Sequence, residues 1–117
     1  MPEPIIQKNI NLLRPNFRNK IEELMNVMEM KGYDPIIFES LRSNSRQNWL
    51  YSIGRTYQKN RKPVTWTLQS KHLTGEACDI ISKSKGWNNP KFFEALQHEA
   101  HLLGLHTIPQ EQCHIQE

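Results

Sequence analysis

Two apolar stripes at helical spacing, with nothing between them longer than a short β-branched run, restrict this chain's fold more than any other feature. Phe17, Ile21, Leu24, Met25 and Met28 recur at three- and four-residue steps, and Phe92, Phe93, Leu96, Ala100 and Leu103 do the same near the other end. Each stripe predicts a helix with one face to bury. Pro15 is a start signal and Lys31-Gly32 a stop for the first, and Gly104 ends the second. The other apolar material comes in short pieces. Pro35 to Ser40 and Glu76 to Ser82 read as strands. Ser45 to Tyr57 carries Trp49, Leu50 and Ile53 at helical spacing, with Ser43 or Ser45 available as a cap. Residues 58–69 read as a loop and 84–90 as a turn, while His106 to Gln116, broken by Pro109, leaves room for at most two brief strands. The expected class is α+β, a small antiparallel sheet packed against several helices.

A chain of 117 residues suits a single domain over 1–117, with a helical N-terminal part over 1–32 and a core over 36–116 that bears the polar motifs. At 37% hydrophobic and 23% charged residues it is neither a disordered tail nor a membrane span, so no membrane insertion is expected. The start, MPEPIIQKNINLL, lacks the positive end and unbroken apolar run of a secretory signal, so synthesis and folding in the cytoplasm are expected. The net charge of +3 is a mild bias that fits either a solvated surface or attraction to an anionic polymer. There is no dense basic block and no nucleic-acid motif, so no nucleic-acid partner is expected. Cys78 and Cys113 form no C-x-x-C pair and read as free thiols.

The chemistry lies in how the five histidines are grouped. His72 stands seven residues before Asp79, with Thr74-Gly75 between them, and the glycine allows a tight turn that lets the two side chains converge. Imidazole nitrogen and carboxylate oxygen are both good zinc donors. Two ligands are too few for a catalytic zinc, and Glu111-Gln112-Cys113-His114 offers a third, with a carboxylate three residues ahead of it. His72, Asp79 and His114 would leave the fourth position open for water, and Glu111 would be the general base. Strand alternation turns Cys78 and Cys113 away from the ligands as packing residues; a zinc site containing cysteine is the alternative. His98 and His101 resemble a metalloprotease helix, but their spacing is i,i+3 where H-E-x-x-H needs i,i+4, so they read as an exposed face. His106 is a weaker candidate for the substrate pocket, and Trp66 and Trp87 read as core or rim aromatics.

Ser70 to Asp79 (SKHLTGEACD) resembles the S-x-H-x-x-G-x-A-x-D motif of the zinc D-alanyl-D-alanine carboxypeptidases and L-alanyl-D-glutamate endopeptidases. Arg42-Ser43, Arg46-Gln47, Leu50-Tyr51 and Gly54-Arg55 resemble that family's RS-x-x-RQ-x-x-LY-x-x-GR stretch, and Glu111-x-x-His114 resembles its closing motif. The resemblance implies a zinc peptidase with His72, Asp79 and His114 as ligands on the small antiparallel sheet and Glu111 as base. It also implies that Arg42 holds the substrate carbonyl or oxyanion, that Ser70 supports the site from behind, and that Arg46, Gln47 and Arg55 organise the helix or bind substrate carboxylates. The chain departs from the family at Gly104 to Glu111 (GLHTIPQE), where a W-G-G stretch and an acidic loop are commonly found. The implied partner is the peptidoglycan stem peptide and the implied cofactor Zn2+, with the protein acting as a monomer. Lack of a signal suggests a phage-type endolysin released at lysis or a cytoplasmic dipeptidase, and small size and basic balance favour the lytic enzyme. A catalytically inactive, zinc-stabilised cell-wall-binding module is the alternative from another class.

Overall fold

The two stripes form the two long helices. The computed structural model describes residues 3–65 and 67–117. Helix α1, Pro15–Met30, buries Phe17, Ile21, Leu24 and Met28 along one face. Proline at its first position fixes a helical φ where no intrahelical N–H bond is needed. The helix stops at Lys31, and Gly32 at φ +89° sends the chain back, with Tyr33 N–H donating to the Met28 carbonyl. Helix α3, Pro90–Leu102, is capped by the Asn89 side chain and buries Phe92, Phe93, Leu96 and Ala100. The two helices touch, and Lys31 Nζ reaches Glu99 Oε2 at 2.7 Å.

Both helices pack against four strands: β1 (Pro35–Glu39), β2 (Ala77–Ser82), β3 (His106–Ile108) and β4 (Glu111–Gln116). Their order is β1-β2-β4-β3 and every neighbouring pair is antiparallel. Strand β2 is buried at all six positions, which suits its mixed apolar and polar composition only because one of its faces meets the core and the other a site of fixed charges. On the core face, Cys78, Ile80 and Ile115 join the helix stripes in one apolar cluster. Burial of such side chains contributes about 1.5–3 kcal/mol each.

The short helix α2, Asn44–Ser52, starts at Ser43, whose Oγ accepts from Arg46 N–H at 3.1 Å. It ends five residues earlier than the spacing predicts. Gly54 takes φ +80° against the backbone of residues 61–63, and a Cβ there would lie 2.6 Å from the Arg61 carbonyl oxygen, so the chain turns away from the helix axis. The tight turn expected before Asp79 is a 3-10 turn over Lys71–Thr74. The C-terminal segment forms two strands, the number expected, with β3 of three residues and β4 of six, and β4 pairs with both β2 and β3. Among the described residues, no helix is long and apolar enough to cross a membrane.

Candidate metal centre

Asp79 and His114 face each other across β2 and β4, a register that brings side chains together from positions 35 residues apart. The neighbouring pair, Cys78 and Ile115, points the other way into the core. Cys113 packs against the edge of the core and also borders the cleft in front of the site, so it is only partly turned away. His72 arrives from the 3-10 turn. Ser70 caps that turn by accepting from His72 N–H at 3.2 Å, and Gly75 closes it at φ +74°. The glycine is required here: a Cβ would sit 2.9 Å from the Leu12 carbonyl oxygen, and Arg14 N–H donates to the Gly75 carbonyl.

One donor atom from each of His72, Asp79 and His114 lies within 4.8 Å of the other two. Asp79 Oδ1 is 3.2 Å from His72 Nε2 and 3.5 Å from His114 Nδ1. A tetrahedral zinc with bonds of roughly 2.1 Å has ligand–ligand edges of about 3.4 Å, so the spacing fits. The far ring nitrogens fit as well. His72 Nδ1 lies 2.9 Å from the Ser40 carbonyl oxygen and His114 Nε2 lies 2.9 Å from Gln116 Oε1. Both oxygens can only accept, so those nitrogens carry the protons and the lone pairs of His72 Nε2 and His114 Nδ1 are left facing Asp79. Nδ1 of His114 is buried and has no hydrogen-bond partner, an orphan that a metal would satisfy. Burial works to push the Asp79 carboxyl up, but the facing imidazoles, when protonated, outweigh it and hold it below the ordinary range. Burial likewise pulls His114 down, and the facing Asp79 carboxylate outweighs it, raising the imidazole. The pocket thus favours one negative charge beside positive charge, the balance a cation would meet. Among the described residues no other group of three His, Cys, Asp or Glu side chains is so placed, and neither cysteine joins this one.

Of the three, Asp79 borders a cleft of about 480 Å³ that Phe38, Arg42, Trp87 and Glu111 also line, with His72 and His114 buried behind it. Glu111 Oε1 stands 3.9 Å from His114 Nδ1. Arg42 is buried beside Asp79: its Nη2 donates to Glu39 Oε1 at 2.7 Å and to Asp79 Oδ2 at 3.4 Å, and its Nη1 donates to Gln47 Oε1 at 2.7 Å. Gln47 is anchored in turn on the Thr67 carbonyl. Arg46 is buried against Glu39, with Nε donating to Oε2. Trp87 is half exposed on the rim, edge-to-face with Phe38 at 4.7 Å, as expected of a rim aromatic; Trp66 lies outside the described residues. His98 and His101 lie on the exposed face of α3, and His106 is exposed on β3, away from the cleft.

Sequence reasoning missed three residues here: Glu39, which bridges the two arginines, and Ser40 and Gln116, which orient the imidazoles. Glu39 alone carried a signal, as a carboxylate at the end of an apolar strand followed by two arginines within seven residues.

The model of the D-alanyl-D-alanine carboxypeptidase family VanY matches residues 10–116. No curated protein sequence matches the chain. Among solved structures, the L-Ala D-Glu endopeptidase ChiX of Serratia marcescens is similar at 21% identity and TM-score 0.66, over 92% of this chain and 82% of that one. The LD-carboxypeptidase LdcB is similar at 20% identity and TM-score 0.70, over 97% of this chain and 64% of that one. A mutant of the vancomycin resistance D,D-pentapeptidase VanY from a VanB-type cassette, in complex with Zn(II), is similar at 14% identity and TM-score 0.72, over 98% and 82% of the two chains.

Proposed function

The chain belongs to the VanY D-alanyl-D-alanine carboxypeptidase family, and we propose that it is a zinc peptidase that hydrolyses a peptide bond in the peptidoglycan stem peptide. The observation that carries this is the meeting of His72, Asp79 and His114 beside a cleft that Asp79 and Glu111 both line, with the Glu111 carboxylate 3.9 Å from a ligand atom. Zinc held by these three side chains would supply a Lewis acid that polarises the scissile carbonyl and makes water more acidic. Glu111 takes the proton of the attacking water and returns it to the leaving amine. Arg42, held rigid by Glu39 and Gln47, presents a fixed cation to charge that develops on the carbonyl oxygen. Gln47 positions Arg42. Ser70 acts through the backbone of His72, so it supports the site by shaping the turn and not by touching the ring.

The fold leaves the bond open, because the similar structures include an L-Ala D-Glu endopeptidase, an LD-carboxypeptidase and a D,D-pentapeptidase. For this chain the reading extends to a lytic enzyme of the phage type acting on the wall, supported by a net charge of +3 that suits an anionic polymer. The test is to incubate the zinc-loaded protein with purified peptidoglycan and identify the fragments by mass spectrometry. A new amino terminus within the stem or release of its terminal residue, lost in Glu111→Gln while zinc stays bound, is the expected result. Intact peptidoglycan would overturn the peptidase reading and leave a wall-binding module.

A further inference from the structure

Two guanidinium groups at the cleft wall share one buried carboxylate. Glu39 accepts from Arg42 with one oxygen and from Arg46 with the other, and all three side chains are at least nine-tenths buried. Among the described residues Asp79 is the one other acid paired with Arg42, and its charge is committed to the metal centre. One positive charge is therefore left over, and buried charge needs a partner. The chain supplies it from its N-terminal segment: Arg46 Nη1 donates to Glu3 Oε2 at 2.6 Å and to the Pro4 carbonyl at 3.4 Å. Glu3 itself borders the cleft and its side chain is 44% exposed, so the pair is open to water on the acid's side. The segment is pinned further along by Gln7, whose carbonyl accepts from both Ser40 N–H and Ser40 Oγ.

We infer that Arg46 is a carboxylate-reading position for the substrate and that Glu3 is its built-in competitor, a clasp that an anionic peptide must displace. This rests on the stem-peptide reading above. Beyond its Nε bond to Glu39, Arg46 lies on the same cleft as Asp79 and Glu111 and already donates from Nη1 to a carboxylate that borders that cleft. The pair is buried at Arg46 and 44% exposed at Glu3, so water and salt reach the acid, and a ligand carboxylate anchored by further contacts can take its place at the buried guanidinium. The substrate class selected is a peptide with a free carboxylate near the scissile bond, in preference to the same peptide amidated there.

The test compares binding of L-alanyl-γ-D-glutamyl-L-lysine and its α-amide, by calorimetry, to zinc-loaded Glu111→Gln protein with and without Glu3→Gln. Removing the competitor should tighten binding of the free acid about two- to fivefold, the worth of a solvent-open ion pair, and leave the amide unchanged. Added salt should shrink the difference. Equal affinities in both proteins, a gain shared by acid and amide, weaker binding on Glu3→Gln, or no binding of the acid to either protein would each overturn the clasp. Hydrolysis by the protein with native Glu111 is scored separately. Cleavage without a Glu3 effect sinks the clasp alone, and a Glu3 effect without cleavage sinks the peptidase reading alone.

Discussion

The two faces of strand β2 are held by different physics. On one side, Cys78 and Ile80 join Phe17, Leu24, Phe92 and Leu96 in an apolar cluster with no polar partner to satisfy. On the other, Asp79 stands among His72, His114 and Arg42, with Glu39 and Arg46 behind. Apolar burial is non-directional and grows with the area removed from water, so the first face depends on volume. A buried ionic network depends on each partner being present at the right atom, because a single loss strands a charge where water cannot reach it. The lesson is that one strand can be robust on one side and brittle on the other. The brittle side is the one that faces the cleft.

The sharpest way to break this comparison is through turnover. Glu111→Gln changes no volume and should lower the hydrolysis rate by about 10²–10⁴-fold, with zinc content and unfolding midpoint close to those of the native protein. A retained rate would remove Glu111 from the chemistry. Next comes the network: Glu39→Gln, also nearly isosteric, leaves two buried guanidinium groups short of charge and should cost about 3–5 kcal/mol in urea unfolding. A cost below that of a surface change would show the arginines to be solvated, contrary to their burial. On the apolar side, Leu24→Ala should cost about 2–5 kcal/mol through the cavity it leaves, whereas Leu24→Met should stay under about 1.5 kcal/mol. If the methionine variant proved as costly as Glu39→Gln, the contrast between the faces would fail. Smallest of all, Lys31→Ala removes a pair with Glu99 whose cation is 45% exposed, and should shift stability by about 0–1 kcal/mol; a larger loss would mean that the α1–α3 contact depends on charge.

Much of this was readable in the chain before folding was considered. The stripes of α1 and α3 identify their own buried faces, since the 3.6-residue period is a local property. His72, Asp79 and His114 stand out because few residue types bind metal and their spacing matches a known motif. The short α2 was harder. Its apolar spacing continues to Ile53, and only the packing of Gly54 against residues 61–63 ends the helix. Gly75 marked the turn that carries His72, but the close approach between Gly75 and Leu12 that makes the glycine necessary joins residues far apart in sequence.

Side-chain type and spacing in this sequence determined which atoms are able to bind a metal, which faces must be buried and where the long helices start and stop. Tertiary structure alone decided that β2 and β4 align Asp79 with His114, that the Ser40 carbonyl and Gln116 choose the ring nitrogens, and that Glu39 and Glu3 divide two arginines between them. The physical reason is range. Helical period and donor chemistry act within a few residues, whereas register, tautomer and buried charge balance depend on groups that meet only once the chain has closed on itself.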